Sequence, residues 1–182
     1  MKKLLFFFLL TTSLNIKAQG VFKSNSGEVS FFSEAPLENI EAHNKNVSSL
    51  INTTTKEVVF VIPVWNFKFD KSLMQEHFNE KYMESDKYPD ATFKGKINED
   101  IDFMKDGEYN VTATGTMTIH GVEKLVTHSG TLTIKNGTMS LKSEFSVALK
   151  DYNITIPKLV IQNIAEIIPV KLNVSYMPYK KE

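Results

Sequence analysis

Four histidines and 21 acidic residues are the side chains of this chain that could hold a metal ion or transfer protons. His77 and Glu80 lie three positions apart in a helical pattern, so both would point the same way, and imidazole and carboxylate are common zinc ligands. One such pair arises easily by chance, and the chain has no cysteine that could add a thiolate ligand. The sequence therefore predicts no metal site.

The motifs of the common hydrolytic and phosphoryl-transfer enzymes are missing from the sequence. It contains no G-x-S-x-G nucleophile elbow, no H-E-x-x-H zinc helix and no glycine-rich phosphate loop. Two carboxylate pairs, Asp100 with Asp102 and Glu84 with Asp86, have strand or loop spacing. We interpret them as ordinary surface acids. We therefore expect a protein that is not an enzyme and that uses no cofactor.

The charged residues argue against a nucleic-acid partner. Basic and acidic side chains balance at 21 each, which gives a formal net charge of zero. The chain has no arginine, so bidentate arginine contacts to phosphate or carboxylate are unavailable. Because nucleic-acid binding needs a basic patch, we expect no nucleic-acid partner.

The elements that must position any site are strands, because apolar and polar residues alternate along much of the chain. Residues 111–119, 126–134 and 139–149 form three such rows. His120-Gly121 begins the link between the first two rows. Asn136-Gly137 links the second and third, and Asn-Gly is the strongest short hairpin signal. These residues predict three consecutive antiparallel strands, with a type I′ turn at Asn136-Gly137.

Weaker strand patterns flank these rows, and a helix interrupts them. A helix is predicted near residues 71–84, where apolar residues recur at helical spacing. Many strands with hairpin turns and little helix indicate an all-β sandwich or barrel, and about eight antiparallel strands can close around a small ligand. The flanking strand patterns cover residues 28–35, 57–64, 93–97 and 170–176.

Five segments occur in a recognisable order: residues 27–31 (GEVSF), 83–93 (MESDKYPDATF), 115–124 (GTMTIHGVEK), 145–154 (FSVALKDYNI) and 164–166 (IAE). In these segments the chain resembles the YceI-like family, a secreted lipocalin-like group with polyisoprenoid-binding members. The resemblance implies an antiparallel lipocalin-like barrel of about eight strands with one or two short capping helices. It also implies an isoprenoid or other lipid as the partner, held in the apolar interior.

The inward rows supply the candidate ligand-binding residues. Ala113, Gly115 and Gly130 leave space where a filled core would have leucine or isoleucine. His128 is the one ionisable group on these rows, so it is either a satisfied interior histidine or the contact for a ligand's polar head. The predicted ligand-binding residues are Phe31, Phe93, Val111, Ala113, Gly115, Met117, His128, Leu132, Phe145, Val147 and Leu172.

Two further features leave alternatives open. The ring of His120, in the His-Gly link, either pins the hairpin through a backbone hydrogen bond or faces a ligand. Trp65, Phe67 and Phe69 alternate along one face, where they form either ordinary core or part of a hydrophobic tunnel wall. A tunnel would favour a carrier of one long apolar ligand, whereas a filled barrel would favour a structural or stress-related interaction protein.

Residues 1–18 have the pattern of a secretory signal peptide. Lys2 and Lys3 precede an apolar run over residues 4–10, and Ala18 offers a small residue for cleavage. The run is too short for a membrane span, which needs about 20 residues. We expect residues 19–182 to form a single barrel domain in the periplasm or outside the cell, with no stable membrane span. The oligomeric state is left open, with a dimer as one option.

Overall fold

Within the residues that the structure describes, ten strands, one short α-helix, a π-helical turn and two 3-10 turns make up the regular structure. The structure is a computed structural model, and it describes residues 20–34, 39–157 and 164–179. Among these residues, no helix combines the length and the apolarity that crossing a membrane would require. The strands are β1 (Val21–Ser33), β2 (Ile40–Asn44), β3 (Ser48–Asn52), β4 (Glu57–Pro63), β5 (Lys68–Phe69), β6 (Asp90–Ile97), β7 (Gly107–Ile119), β8 (Val122–Lys135), β9 (Thr138–Ala148) and β10 (Ile167–Pro178).

Eight of the strands close into an antiparallel barrel in the order β1-β3-β4-β6-β7-β8-β9-β10. The last strand returns to the first, because β10 pairs with β1 from Phe22↔Pro178 to Phe31↔Val170. Strand β1 divides its other edge between two partners: its first residues pair with β3 and its last ones with β2, which in turn pairs with β5. The predicted antiparallel barrel of about eight strands is confirmed.

Both hairpins of the β7–β8–β9 meander have tight two-residue turns. Asn136 and Gly137 have φ angles of 51° and 73° between the paired residues Lys135 and Thr138. Positive φ at both central positions is the signature of a type I′ turn, whose twist suits the flanking strands. The prediction for this turn is therefore confirmed. His120 and Gly121 adopt the same pattern, with φ angles of 50° and 72°.

The predicted helix near residues 71–84 is present but shorter in its α-helical part. Helix α1 spans Ser72–His77, and a π-helical turn continues it over Phe78–Tyr82. The side chain of Asn79, which is buried, accepts a hydrogen bond from Ser85 at 2.8 Å and donates one to the carbonyl of Gln75 at 3.0 Å. The backbone N–H of Met83 donates to the carbonyl of Phe78, five residues earlier, so this turn is wider than an α-helical turn, and a count of helical spacing does not reveal it.

One end of the barrel is filled with side chains, and we call it the filled end. Tyr176 and Ser49 lie there, and their hydroxyl oxygens are 2.8 Å apart. Ser49 donates its own hydrogen to the carbonyl of Val59, so the Tyr176 hydroxyl donates to Ser49. Burial raises the pKa of Tyr176, which keeps that hydroxyl protonated. The buried apolar side chains of the filled end are Ile51, Leu132, Ile134, Met139, Val174 and Tyr176.

The opposite end of the barrel, the cap end, carries helix α1 and the π-helical turn. Four phenylalanines meet there: Phe31 from β1, Phe67 from a loop, Phe69 from β5 and Phe78 from the π-helical turn. Their ring centroids are between 5.0 and 5.9 Å apart in the contacting pairs. Ring pairs at such distances stabilise packing beyond their burial alone. The phenylalanine cluster therefore joins the helical cap to the barrel wall.

Candidate functional site

An apolar cavity of about 340 Å³ lies in the barrel between the filled end and the helical cap. Its wall consists mostly of valine, leucine, isoleucine, methionine and phenylalanine side chains. No lysine, aspartate or glutamate belongs to the wall among the residues that the structure describes. Both the size and the apolar character are typical of a site for a small hydrophobic molecule.

Two of the few polar side chains in the wall are occupied by the protein itself. Ser33 accepts a hydrogen bond from the backbone N–H of Ala165 at 2.8 Å. Ser143 donates to the carbonyl of Ser129 at 2.6 Å. Burial raises the pKa of the Tyr82 phenol, so this group is neutral at ordinary pH. The cavity therefore offers few free hydrogen-bonding groups and no fixed charge.

All of the predicted ligand-binding residues line this cavity except Gly115 and Leu132. Leu132 is fully buried, but it belongs to the filled end. Every second residue of β8 points inward even beyond the point where the cavity ends. The alternating pattern therefore includes Leu132. Whether the lining residues bind a ligand remains a prediction.

Gly115 is small for a reason other than cavity space. A Cβ atom at this position would overlap the backbone of Lys94 and Gly95 on the neighbouring strand β6. Gly95 pairs directly with Gly115, and a Cβ on Gly95 would lie only 2.6 Å from the Phe93 ring. The glycine pair thus permits a close approach of two strands, as at a bend in a barrel wall. The interpretation of Gly115 as a space-leaving residue of the cavity is corrected accordingly.

His128 is the most unusual member of the cavity wall. Its imidazole packs against the Phe145 ring with centroids 4.3 Å apart and the ring planes tilted by 32°, and it lies 6.5 Å from the ring of Phe93. Nε2 is buried and has no hydrogen-bond partner in the described part of the chain. Burial also lowers the pKa of His128, which favours the neutral ring. The sequence left two alternatives for His128, an interior histidine with satisfied hydrogen bonds or a contact for a ligand's polar head. The unpaired Nε2 is inconsistent with the first alternative.

His120 connects three segments of the chain at the cap end. Its Nδ1 donates to the carbonyl of Tyr152 at 3.1 Å, and its Nε2 lies 2.8 Å from the Glu84 carboxylate. The ring also packs edge-on against Tyr88 at 4.7 Å. The expected backbone hydrogen bond is therefore confirmed, and it ties the β7–β8 hairpin to the turn Leu149–Tyr152. His120 does not belong to the cavity wall.

Most of the residues that form the cavity wall at the cap end were not among the predicted ligand-binding residues. Phe67 and Phe69 line the cavity, as the tunnel-wall alternative for this segment expects, but Trp65 is 46% exposed. A single 3-10 turn, Val64–Asn66, breaks the alternation there. Further cap-end residues of the wall could not be assigned from strand periodicity because they lie on the helix and in loops. They are Met74, His77, Tyr82, Met83, Ile154 and Ile164.

No group of three or more histidine, aspartate or glutamate side chains is arranged to hold a metal ion within residues 20–34, 39–157 and 164–179. His77 ends helix α1, and Glu80 follows in the π-helical turn. The cavity wall holds His77 but not Glu80. Because nearly all of its wall is apolar, the cavity can shield a hydrophobic molecule from water.

Comparison with solved structures finds the same fold in several bacterial proteins. A polyisoprenoid-binding domain from Saccharophagus degradans, implicated in plant cell wall breakdown, is 15% identical with a TM-score of 0.74, over 87% of this chain and 98% of that one. BcnA from Burkholderia cenocepacia is 18% identical with a TM-score of 0.69, over 82% and 95% of the two chains. The YceI protein of Campylobacter jejuni is 17% identical with a TM-score of 0.64, over the full length of both.

At these identities, the likeness establishes a shared fold. A search of curated proteins finds no matching sequence. The family model described as the YceI-like domain matches residues 7–176 of the chain. Because this match spans nearly the whole sequence and includes all of the barrel strands except the last two residues of β10, the chain belongs to the YceI-like domain family.

Proposed function

We propose that the protein is an exported carrier that holds one long apolar ligand, an isoprenoid or another lipid, in the cavity of its barrel. The observation that carries this proposal is the hollow interior between the filled end and the cap, with a wall free of fixed charge in the described residues. A protein that needed only a stable core would gain more by filling this space. The activity is binding, without a catalytic step.

The energetics of such binding are favourable. Each methylene group transferred from water into the cavity contributes about 0.8 kcal/mol. About ten methylenes would gain on the order of 8 kcal/mol, and association costs of roughly 4 kcal/mol would leave only millimolar affinity. About fifteen methylenes would gain on the order of 12 kcal/mol and leave about 8 kcal/mol, which corresponds to a micromolar dissociation constant. Binding at micromolar concentration is therefore expected for a long chain and not for a short one.

An isoprenoid is the first ligand to test. Support comes from the S. degradans neighbour, which is described as a polyisoprenoid-binding domain and shares the fold. Export is supported by the basic and apolar pattern of residues 1–18, which lie outside the described residues. A fully filled barrel, the structural alternative, is less well supported because side chains fill only the end around Leu132 and Tyr176.

Native mass spectrometry of the protein purified from its host tests the proposal directly. We expect a co-purifying mass that fits a lipid and disappears after delipidation. Delipidated protein should then take up a long isoprenoid alcohol at micromolar concentration. If it takes up neither isoprenoid nor fatty chains at that concentration, the carrier proposal is wrong.

A further inference from the structure

His128 places an unused hydrogen-bonding group in the wall of a cavity that is otherwise almost wholly apolar. Its Nε2 is buried without a partner among the described residues, and the ring borders the cavity between Phe93 and Phe145. A phenylalanine or leucine would fill this position without an unpaired polar atom. The imidazole therefore weakens the ligand-free fold, which is expected of a group that serves a ligand.

The imidazole of His128 is in contact with the ring of Phe145, its neighbour on strand β9. The β8–β9 ladder runs only from Lys135↔Thr138 to Thr131↔Lys142. Continued in the same register, it would place His128 opposite Phe145. Beyond the end of the ladder, the two strands are joined by the hydrogen bond from Ser143 to the carbonyl of Ser129 and by contact between the His128 and Phe145 rings. The backbone of Phe145 is held by its pairing with Val170 of β10, so contact between the imidazole and a ligand requires the Phe145 side chain to rotate.

The charge of the cavity limits what can bind to this imidazole. A neutral imidazole carries one donor and one acceptor nitrogen, so it can pair with a hydroxyl or a carbonyl oxygen. The described cavity wall contains no lysine, and the whole chain contains no arginine. A phosphate or carboxylate at His128 would lose its hydration without gaining a permanent positive partner. An uncharged oxygen group does not have this cost.

We propose that His128 is a hydrogen-bonding subsite for an uncharged hydroxyl or carbonyl group of the ligand, held within the barrel. The ligand is then a long-chain alcohol or ketone, in preference to a pure hydrocarbon, a lipid phosphate or a fatty acid. This inference rests on the proposed carrier function and specifies the chemical class of its ligand.

Three ligands that share one branched chain test the subsite: phytane, phytanol and phytanic acid, which carry no polar group, a hydroxyl and a carboxylate. Their dissociation constants are measured with delipidated wild-type protein and with His128→Phe, which keeps a ring against Phe145. His128→Gln keeps a donor and an acceptor at the site. His43→Phe makes the same change as His128→Phe on the outer surface, where His43 contacts Glu28 and Glu41.

Wild-type protein is expected to bind phytanol about three- to tenfold more tightly than phytane, and phytanic acid less tightly than phytanol. In His128→Phe the preference for phytanol disappears while phytane still binds, whereas His128→Gln and His43→Phe retain it. The ring ¹⁵N resonances of His128, assigned by their loss in His128→Phe, should shift with phytanol and not with phytane.

The outcomes separate this inference from the function on which it rests. Equal binding of phytane and phytanol, tighter binding of phytanic acid, or a phytanol preference that persists in His128→Phe would overturn the His128 subsite alone. Failure of all three ligands to bind the wild-type protein would overturn the carrier function and the subsite together.

Discussion

Small residues on the inner face of β7 and β8 have different physical roles, although they look alike in the sequence. Ala113 lines the cavity and leaves space in it. Gly115 allows two strands to approach closely. Gly130 borders the cavity as well, but a Cβ there would lie 2.7 Å from the carbonyl oxygen of Lys142. Of these three positions, Ala113 is therefore the one at which we expect a larger side chain to fill the cavity.

Ala113→Leu should weaken ligand binding without unfolding the barrel. Three added carbons displace about three methylenes of ligand, which corresponds to about 2 kcal/mol, or roughly thirtyfold in affinity. Stability should change by less than about 1.5 kcal/mol because the cavity has room for the side chain. Titration of delipidated protein with an isoprenoid alcohol, together with thermal unfolding, measures both effects.

Thr116→Leu, on the outer face of the same strand, is the matched control and should leave affinity unchanged. Gly115→Leu should instead reduce folding, since its side chain would overlap strand β6. Undiminished binding by Ala113→Leu would show that the ligand lies elsewhere.

His128 should also make the stability of the protein depend on pH. Burial lowers the pKa of His128 in the folded state, so the unfolded chain binds its proton first as the pH falls. The free energy of unfolding should therefore decrease as the pH falls below about 6.5, the ordinary histidine value. His128→Phe should lose this part of the acid sensitivity. Urea unfolding of both proteins between pH 8 and pH 5 tests this, and parallel curves would contradict it.

The strands and hairpins were predictable because alternation and turn residues are local signals. The β7–β9 meander follows from the three alternating rows and from Asn136-Gly137. The end of the β8–β9 ladder at Thr131↔Lys142 was not predictable, because inward alternation continues in both strands beyond it. Alternation shows which face is buried, but it does not show which neighbour receives the backbone hydrogen bonds. For the same reason, the two-residue strand β5 and its pairing with β2 have no sequence signature.

Gly137→Val should destabilise the β8–β9 hairpin through the backbone alone. No heavy atom lies within 4 Å of a Cβ built at Gly137, so the substitution creates no clash. Its φ of 73° is nevertheless unfavourable for a β-branched residue, and we expect a loss of more than about 1 kcal/mol in the free energy of unfolding. Thr133→Val, in the extended strand β8 of the same hairpin, is the control and should change little. Equal melting temperatures for all three proteins would exclude strain at this turn.

At the scale of the whole barrel, the sequence indicated an apolar interior but not where it is hollow. Leu132 and Val111 both lie on inward rows, yet Leu132 belongs to the filled end and Val111 lines the cavity. The difference depends on packing from other strands, such as Tyr176 against Ser49, which are far apart in the sequence. At the cap end, a helix and loops supply much of the cavity wall. Their inward-facing residues do not alternate as strand residues do, so the strand pattern could not predict them.

The proposed function includes export from the cytoplasm, and this gives a test at the scale of the whole molecule. In its host, the protein should be recovered from the periplasm or the medium, with an N-terminus within a residue or two of position 19. Phe7→Lys places a charge in the apolar run of residues 4–10 and should retain the precursor inside the cell, because translocation of a signal peptide depends on that run. Lys2→Arg keeps the basic start and should be exported like the wild type. A cytoplasmic protein that still begins at Met1 would contradict export, while leaving the apolar cavity and its ligand to be tested with purified protein.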